Sequence, residues 1–234
     1  MLCFRKKTTF IIRNFSLLSS IFKQFNFRFM HIAIAGNIGS GKTTLTGILA
    51  KNFKWEAHYE DVDTNPYLNS FYEDMQRWSF NLQVYFLNSR FRQVLKIRES
   101  GKTVIQDRTI YEDAYIFAPN LHAMGLMNTR DFDNYSSLFE LMSTFLKPPD
   151  LLVYLRAEVP TLVRQIQKRG REYENSIRID YLTRLNERYE AWISAYNIGK
   201  LLIVDVDDKD FANNSADLEK FIENINGELY GLFK

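Results

Sequence analysis

A glycine-rich segment between an apolar run and a helix-like segment constrains the fold of this chain more than any other feature. Residues 36–43 read GNIGSGKT, after the apolar run HIAIA at 31–35 and before TLTGILA at 44–50. The spacing G-x-x-x-x-G-K-[ST] between a strand and a helix is typical of a phosphate-binding loop. Glycines let successive backbone N–H groups converge on a phosphate, and the helix start adds partial positive charge. The segment therefore predicts a nucleoside triphosphate site.

The same loop predicts individual contacts to the triphosphate. We expect Lys42 to reach the β- and γ-phosphates and the Thr43 hydroxyl to bind Mg²⁺. The alternative is a chance glycine-rich turn, which the flanking strand and helix disfavour. The residues of the loop predicted to bind the triphosphate are Gly36, Asn37, Ile38, Gly39, Ser40, Gly41, Lys42, Thr43 and Thr44.

Beyond the loop, strand-like and helix-like segments alternate, which is the pattern of a parallel α/β sheet. Strands are predicted at 31–35, 55–60, 102–107, 151–155 and 201–205. Further helices are predicted at 72–100 (with a break near its start), 110–120, 129–146, 160–170, 179–196 and 216–229. We therefore expect one α/β domain over 30–234 with five parallel strands. Ligands of such sheets bind beyond the carboxyl ends of the strands, where Glu60, Asp107 and Asp205 fall.

The charge of the chain is unevenly distributed. Of the 30 lysines and arginines, six lie in residues 1–29, which hold no acid, so 24 face the 28 acidic residues of the remainder. A net negative body does not predict non-specific binding of nucleic acid. No stretch approaches the roughly 20 apolar residues that a membrane helix needs. We therefore expect neither a nucleic acid nor a membrane as partner.

Residues 1–29 have two explanations. They are basic, rich in Ser and Phe and free of acid, as an organellar transit peptide would be. Alternatively, translation starts at Met30, directly before the first strand, and this is the interpretation we favour. The one cysteine, Cys3, lies in this segment. The predicted domain therefore has no thiol, which fits a reducing compartment. We expect a cytoplasmic location, or an organellar matrix if the transit peptide is real.

Three further motifs suggest phosphoryl transfer. At the end of the third predicted strand, Asp107 could hold Mg²⁺ and Arg108 could neutralise phosphoryl oxygens; otherwise they are a surface pair opening a helix. Arg169 and Arg171 flank a glycine between two helices, which suits either a lid over phosphates or a solvated loop. A hydroxyl acceptor also needs a carboxylate to take its proton. Composition does not choose among Glu60, Asp61 and Asp63 for that role.

Taken in order, these motifs resemble the deoxynucleoside kinase family over 30–234. The segments that match are GNIGSGKTT from Gly36, the acid Glu60, FYE at 71–73, RWSFNLQ at 77–83, SR at 89–90, DRTIYED at 107–113, YIFA at 115–118, and RGR at 169–171 with Glu174. The resemblance implies a P-loop kinase fold with a lid segment. It also implies Mg²⁺-dependent transfer of a phosphoryl group from ATP, or from another nucleoside triphosphate, to the 5′-hydroxyl of a deoxynucleoside, as in nucleotide salvage.

The resemblance also implies a role for each matching side chain. Lys42, Glu60 and Arg108 would be catalytic, with Glu60 as general base on the 5′-hydroxyl. Thr43 and Asp107 would hold the metal. Arg169 and Arg171 would be lid arginines on the triphosphate. The remaining predicted contacts are to the acceptor: Tyr72 and Glu174 on the sugar 3′-hydroxyl, and Gln83, Arg90, Asp113 and Phe117 around the base.

Two departures from the family pattern concern details. Ala114 follows Asp113 where several eukaryotic relatives have arginine. The chain resembles the bacterial purine-preferring relatives in lacking this arginine, so we expect deoxyadenosine ahead of deoxyguanosine. The Gln83 amide could pair with adenine or cytosine alike. Gln165 stands where many relatives have another lid arginine. Arg164 is one position away. Because a shift of one residue rotates a helical side chain by about 100°, we do not expect Arg164 to take the place of that arginine.

Rival interpretations remain. One is a nucleoside monophosphate kinase, another a non-catalytic structural subunit, and a third a nucleotide-gated binding module. We also expect a homodimer, from the family and from the long apolar helices around Phe86, Phe91 and Phe139.

Overall fold

The computed structural model describes residues 29–60, 62 and 64–231. The predictions for most of the N-terminal extension, and for Asp61 and Asp63 as possible general bases, lie outside these residues. Within the described part of the chain, none of the helices combines the length and hydropathy of a membrane span.

The predicted five-stranded parallel sheet is confirmed. The strands are β1 (His31–Gly36), β2 (Glu56–His58), β3 (Val104–Asp107), β4 (Leu151–Arg156) and β5 (Lys200–Asp205), in the order β2-β3-β1-β4-β5. Strand β1 lies at the centre, since Ile34 pairs with Asp107 on one side and with Val153 on the other. Strands β1 and β4 are mostly apolar because helices cover both faces of a parallel sheet. The phosphate-binding loop and Asp107 therefore leave the sheet at the same edge, side by side.

Helices surround this sheet. They are α1 (Lys42–Phe53), α2 (Leu68–Glu73), α3 (Met75–Glu99), α4 (Ile110–Glu112), α5 (Ala118–Ala123), α6 (Thr129–Ser143), α7 (Val159–Arg169), α8 (Ile179–Ser194) and α9 (Ser215–Tyr230). A π-helical turn (Asp113–Phe117) joins α4 to α5, and a 3₁₀ helix (Glu172–Ser176) precedes α8.

Local chemistry explains where these elements differ from the predicted bounds. The break near the start of the predicted helix 72–100 falls at Asp74, whose side chain accepts a 3.0 Å hydrogen bond from the Arg77 N–H and so starts α3 as an N-cap. Strand β2 begins later than predicted because the Trp55 N–H donates to the Ala50 carbonyl, closing α1. The helix predicted at 110–120 continues to Ala123 and contains the π-helical turn.

The core has one layer on each face of the sheet, following the two-residue alternation of strands. Ile32 and Ile34 face α1 and α9, where they pack in a cluster with Leu49 and Phe221. Ala33 and Ala35 point to the opposite face, in a cluster that contains residues of α3 and α8. The two helices of that second face, α3 and α8, frame the space beyond the carboxyl ends of β1 and β3.

Candidate active site

A cavity of about 490 Å³ opens beyond the carboxyl ends of the central strands. This volume lies within the roughly 300–1,000 Å³ typical of small-molecule sites. Fifteen of the predicted site residues line it: Ile38, Gly39, Lys42, Thr43, Glu60, Tyr72, Gln83, Arg90, Asp107, Arg108, Asp113, Phe117, Arg169, Arg171 and Glu174. The other predicted loop residues, Gly36, Asn37, Ser40, Gly41 and Thr44, shape the loop and the start of α1 without lining the cavity.

Two glycines of the loop are required by its backbone. Gly39 and Gly41 have φ values of +86° and +90°, a region that side chains with a Cβ rarely adopt. A Cβ on Gly39 would also lie 2.7 Å from the Leu162 carbonyl oxygen of α7. The phosphate-binding loop therefore packs directly against the backbone of α7.

Lys42 is folded back into its own loop. Its Nζ donates hydrogen bonds of 2.9 Å to the carbonyl oxygens of Gly36 and Asn37. Burial, reinforced by the nearby Arg108 guanidinium, lowers the pKa of Lys42 to about 7. The lysine is thus poised to gain charge when an anion enters.

Asn37 ties the loop to α8. Its Nδ2 donates to the Leu182 carbonyl and to Asn186 Oδ1, both at 3.1 Å, while its Oδ1 accepts the Ile38 N–H at 2.8 Å. The buried amide therefore fixes the first turn of the loop. This explains why a residue that does not line the cavity still shapes it.

Thr43 and Asp107 meet at the predicted metal position. Thr43 Oγ1 donates to Asp107 Oδ2 at 2.6 Å, and the Asp107 side chain is 1% exposed. Burial raises the pKa of Asp107. Its Oδ1 is buried and has no hydrogen-bond partner among the described residues. A buried carboxylate oxygen of this kind calls for a partner, and a cation would supply one.

Glu60 bridges two buried arginines at the other end of the cavity. Its Oε1 accepts a 2.7 Å bond from Arg90 Nη2, and its Oε2 a 3.3 Å bond from Arg108 Nε. Burial acts to raise the pKa of Glu60, but Arg108 and Arg90 outweigh it and lower the pKa to about 2. Glu60 is therefore ionised at neutral pH and able to accept a proton.

Arg108 is held in a strained conformation. Its φ of +69° is in the left-handed region, which costs about 1–2 kcal/mol for a residue with a Cβ. Its N–H donates to the Ile34 carbonyl at 2.9 Å, its Nη1 to the Tyr189 hydroxyl at 3.0 Å, and its guanidinium lies 4.7 Å from the Phe117 ring centroid. Strain that the surroundings enforce in this way is common at functional sites.

Polar groups also line the wall between α3 and the π-helical turn. Arg90 donates to both oxygens of Asp113, with 3.3 Å from Nη2 to Oδ1. Gln83 is 3% exposed, and its Oε1 has no partner within the part of the chain that the structure describes. Because burying an unpaired amide oxygen is costly, Gln83 fits a ligand-binding role. Asp113 and Phe117 both belong to the π-helical turn, a feature frequent at functional sites.

One carboxylate pairs with both arginines of the predicted lid segment. Glu174 accepts from Arg169 Nη2 at 2.6 Å and from its Nε at 3.0 Å, and Arg171 Nη1 lies 3.7 Å away. Beside it, the Tyr72 ring stacks on Tyr173 with centroids 5.5 Å apart. The lid arginines are thus neutralised by the acid that was predicted to contact the sugar.

The departure predicted for the lid has a structural counterpart. Arg164 Nη2 donates to Thr161 Oγ1 at 3.1 Å, within its own helix, and both Arg164 and Gln165 lie outside the cavity lining. Arg164 therefore does not replace the lid arginine that the family pattern would place here.

Sequence reasoning missed two buried residues of the site, Glu112 and Tyr189. Glu112 could have been found, because Thr109 and Glu112 form the T-x-x-E pattern of a capping box, which the structure contains. Tyr189 donates to Glu112 Oε1 at 2.8 Å from 77 positions away. No local pattern signals such a contact.

Comparisons with known proteins agree on one family. The sequence profile described as deoxynucleoside kinase matches residues 32–229. Over 197 residues the chain is 42% identical to the deoxyadenosine/deoxycytidine kinase of Bacillus subtilis (strain 168), spanning 83% of this chain and 90% of that protein. Over 203 residues it is 38% identical to a deoxyguanosine kinase of Lactobacillus acidophilus, spanning 83% and 88%.

Solved structures give the same result. A deoxyadenosine kinase from M. mycoides with the products dCMP and a flexible dCDP bound has a TM-score of 0.76 at 29% identity, covering 85% of this chain and 100% of that one. With dATP bound, the same enzyme gives 0.74 at 29% identity, covering 84% and 99%. The predicted P-loop kinase fold is thereby confirmed, and the rival interpretations are disfavoured. The chain is an enzyme of the deoxynucleoside kinase family.

Proposed function

We propose that this enzyme transfers the γ-phosphoryl group of ATP to the 5′-hydroxyl of a purine deoxynucleoside, deoxyadenosine ahead of deoxyguanosine. The observation that carries the proposal is that one cavity holds both halves of such a site. Lys42, Thr43 and Asp107 line its donor end, and the Glu60–Arg108 pair lines its acceptor end. Both substrates would therefore meet without a large rearrangement of the sheet.

At the donor end, the backbone of the loop, Lys42 and the lid arginines Arg169 and Arg171 would hold the triphosphate. Thr43 and Asp107 would hold Mg²⁺, which when bound neutralises charge on the phosphate oxygens. Among the described residues, no group of three or more His, Cys, Asp or Glu could hold a metal. This suits Mg²⁺, which keeps waters and phosphate oxygens as most of its ligands.

At the acceptor end, the 5′-hydroxyl would lie between Glu60 and Arg108. The hydroxyl oxygen would form a bond to the γ-phosphorus while the bond between the γ-phosphorus and the β,γ-bridging oxygen breaks, so that ADP leaves. The hydroxyl proton would pass to the Glu60 carboxylate. Arg108 would contact the transferring group, where its fixed charge opposes the charge on the phosphoryl oxygens. Asp61 and Asp63 remain alternative bases on sequence grounds.

The rest of the cavity would select the nucleoside. Tyr72 and Glu174 would hold the 3′-hydroxyl. Gln83, with Arg90 and Asp113 beside it, would pair with the base edge, and Phe117 would stack on its face. A buried amide with a free Oε1 can accept from an exocyclic amino group such as that of adenine.

The charge balance supports an acceptor that carries no phosphate. The two arginines of the acceptor end, Arg90 and Arg108, are both paired with carboxylates, those of Glu60, Asp113 and Glu112. A nucleoside monophosphate would bring further negative charge to a region without a free cation among the residues described. A neutral nucleoside avoids this cost. The site thus favours a nucleoside kinase over a monophosphate kinase.

Product formation by the full chain tests this proposal. The purified protein is incubated with ATP, Mg²⁺ and each of the four deoxynucleosides, and monophosphates are separated by chromatography. We expect dAMP to form fastest and dGMP next, whereas Lys42→Met, which removes the loop cation, should form almost none. No monophosphate from any acceptor would overturn the proposal, and faster turnover of deoxycytidine or thymidine would overturn the purine preference.

We also propose a homodimer, although not through all the residues first considered. Phe86 and Phe139 are buried in the core of the single chain and cannot form an interface. Tyr115, Leu138 and Leu141 are exposed apolar side chains on the π-helical turn and α6, and they support an interface there. Sedimentation of the wild type and of Leu141→Asp would test it, with a monomeric variant as the expected result.

A further inference from the structure

Glu112 is a buried carboxylate behind the cavity, outside the set of predicted site residues. Its side chain is 0% exposed. Its Oε1 accepts the Gly36 N–H at 3.2 Å and the Tyr189 hydroxyl at 2.8 Å, and its Oε2 accepts the Thr109 N–H at 2.7 Å. Arg108 Nη1 lies 3.7 Å from Oε1. One side chain thus links the phosphate-binding loop, the segment after β3 and α8.

Through these contacts Glu112 supports residues of both the donor end and the acceptor end of the cavity. Gly36 begins the phosphate-binding loop, and its carbonyl oxygen accepts from Lys42 Nζ. Thr109 directly follows Arg108, whose left-handed backbone is held on one side by the Ile34 carbonyl. Glu112 holds the other side through the Thr109 N–H. The carboxylate therefore connects the donor lysine to the acceptor arginine through two short bonded paths.

Capping of helix α4 does not explain why a carboxylate is buried at this position. A buried ionised group is costly unless it is paired and fully hydrogen-bonded. A cap of the short helix α4 requires only the bond to Thr109, which a neutral side chain could supply. The second carboxylate oxygen of Glu112, Oε1, accepts the bonds from Gly36 and Tyr189, and the negative charge of Glu112 pairs with Arg108. These features exceed what capping alone requires.

We propose that Glu112 is a positioning residue for phosphoryl transfer. It fixes the Arg108 guanidinium and the start of the phosphate-binding loop at a constant separation, so that the acceptor oxygen and the γ-phosphorus align. Tyr189 orients the same guanidinium by accepting from Arg108 Nη1 while donating to Glu112. The inference rests on the proposed function, because it concerns the geometry of that reaction.

The first experiment compares Glu112→Gln with a matched control. Glu190 on α8 also accepts from a tyrosine and an arginine, Tyr154 at 2.9 Å and Arg156 at 2.8 Å, but lies outside the cavity lining. We expect Glu112→Gln to lower kcat 10- to 100-fold with KM for both substrates within threefold, because small misplacements in a reacting site cost rate more than binding. Glu190→Gln should keep the wild-type kcat.

The second experiment separates positioning from folding. In an Arg108→Ala background, Glu112→Gln should lower kcat by a clearly smaller factor than it does in the wild type, because one of the two groups that Glu112 positions is gone. Tyr189→Phe removes a single hydroxyl, so it keeps a soluble variant available if Glu112→Gln does not fold. It should lower kcat three- to tenfold with unchanged KM.

Each outcome is decisive. A wild-type kcat in either Glu112→Gln or Tyr189→Phe, or full additivity with Arg108→Ala, would overturn this inference while the proposed function stands. A wild type that phosphorylates no deoxynucleoside would overturn the proposed function and this inference with it.

Discussion

The two ends of the cavity are built in different ways. The donor end comes from one continuous stretch, residues 36–44, with Asp107 as its main contribution from elsewhere. The acceptor end draws on α3, the π-helical turn and the residues around β2, β3 and the lid. Charges differ too, since Lys42 is bonded to carbonyl oxygens whereas Arg90 and Arg108 are paired with carboxylates. This difference in charge pairing supports the proposal that the donor end binds an anion and the acceptor end a neutral molecule.

This difference predicts that the two ends of the cavity bind their ligands independently, which variants can test. Changes at the acceptor end should leave triphosphate binding intact, and changes in Lys42 should leave nucleoside recognition intact. Two variants and one pH dependence test these expectations, in order of decreasing effect.

Glu60→Gln should have the largest effect. The amide cannot take the hydroxyl proton, so kcat should fall at least 100-fold, within the range for loss of a general base. The ATP dissociation constant should stay within twofold in equilibrium titrations. Glu56→Gln, a carboxylate of β2 paired with the exposed Lys102, is the control. An unchanged kcat would make Asp61 or Asp63 the better candidate.

Gln83→Leu should weaken the nucleoside alone. Loss of a buried amide that pairs with the base costs about 1–3 kcal/mol, so we expect KM for deoxyadenosine to rise at least about fivefold in steady-state kinetics. KM for ATP should not change. Asn81→Ala on the same helix, whose amide bonds the exposed Arg77, should behave as wild type. Equal rises in both KM values would contradict the separation of the two ends.

The pH dependence of triphosphate binding should be the smallest effect. Because the pKa of Lys42 is lowered to about 7, the free lysine is mostly neutral at pH 8. A bound polyphosphate favours the ammonium, so binding at pH 8 should take up about 0.9 proton, and affinity should fall by up to about tenfold per pH unit above 7. Calorimetry in buffers of different ionisation enthalpy measures this uptake.

Lys42→Arg is the control for this linkage, since arginine stays charged at every relevant pH. It should bind with no proton uptake. Folding stability should change with pH in the opposite direction to triphosphate affinity. Between pH 7 and the unfolded pKa of 10.5, the unfolded chain holds more protons on Lys42 than the folded chain does, so the contribution of this lysine to stability rises with pH. If the wild type bound triphosphate at pH 8 without proton uptake, the proposed contact between Lys42 and the triphosphate would be contradicted.

Sequence reasoning succeeded where contacts are local or periodic. The five strands follow from hydrophobic runs, and the phosphate-binding loop follows from its glycine spacing, whereas most of the acceptor side chains that line the cavity were predicted through the resemblance to the deoxynucleoside kinase family. It did not anticipate the π-helical turn at Asp113–Phe117, because an extra residue in a helical turn leaves no periodic signal. The role of Glu112 and Tyr189 depends on a contact across 77 residues. Such contacts are set by the packing of α8 on the sheet, which the motifs leave open.

The packing of Gly39 against α7 has a consequence for how the chain can vary. The groups closest to a Cβ at Gly39 would be the main-chain carbonyl of Leu162 and the buried side chain of Ile166. Substitutions along the exposed face of α7 would leave this surface unchanged, whatever they do to the lid charge. A single-residue insertion or deletion in α7 would rotate its carbonyls and displace the loop. On its exposed face, α7 should therefore tolerate changes in residue type far better than changes in length.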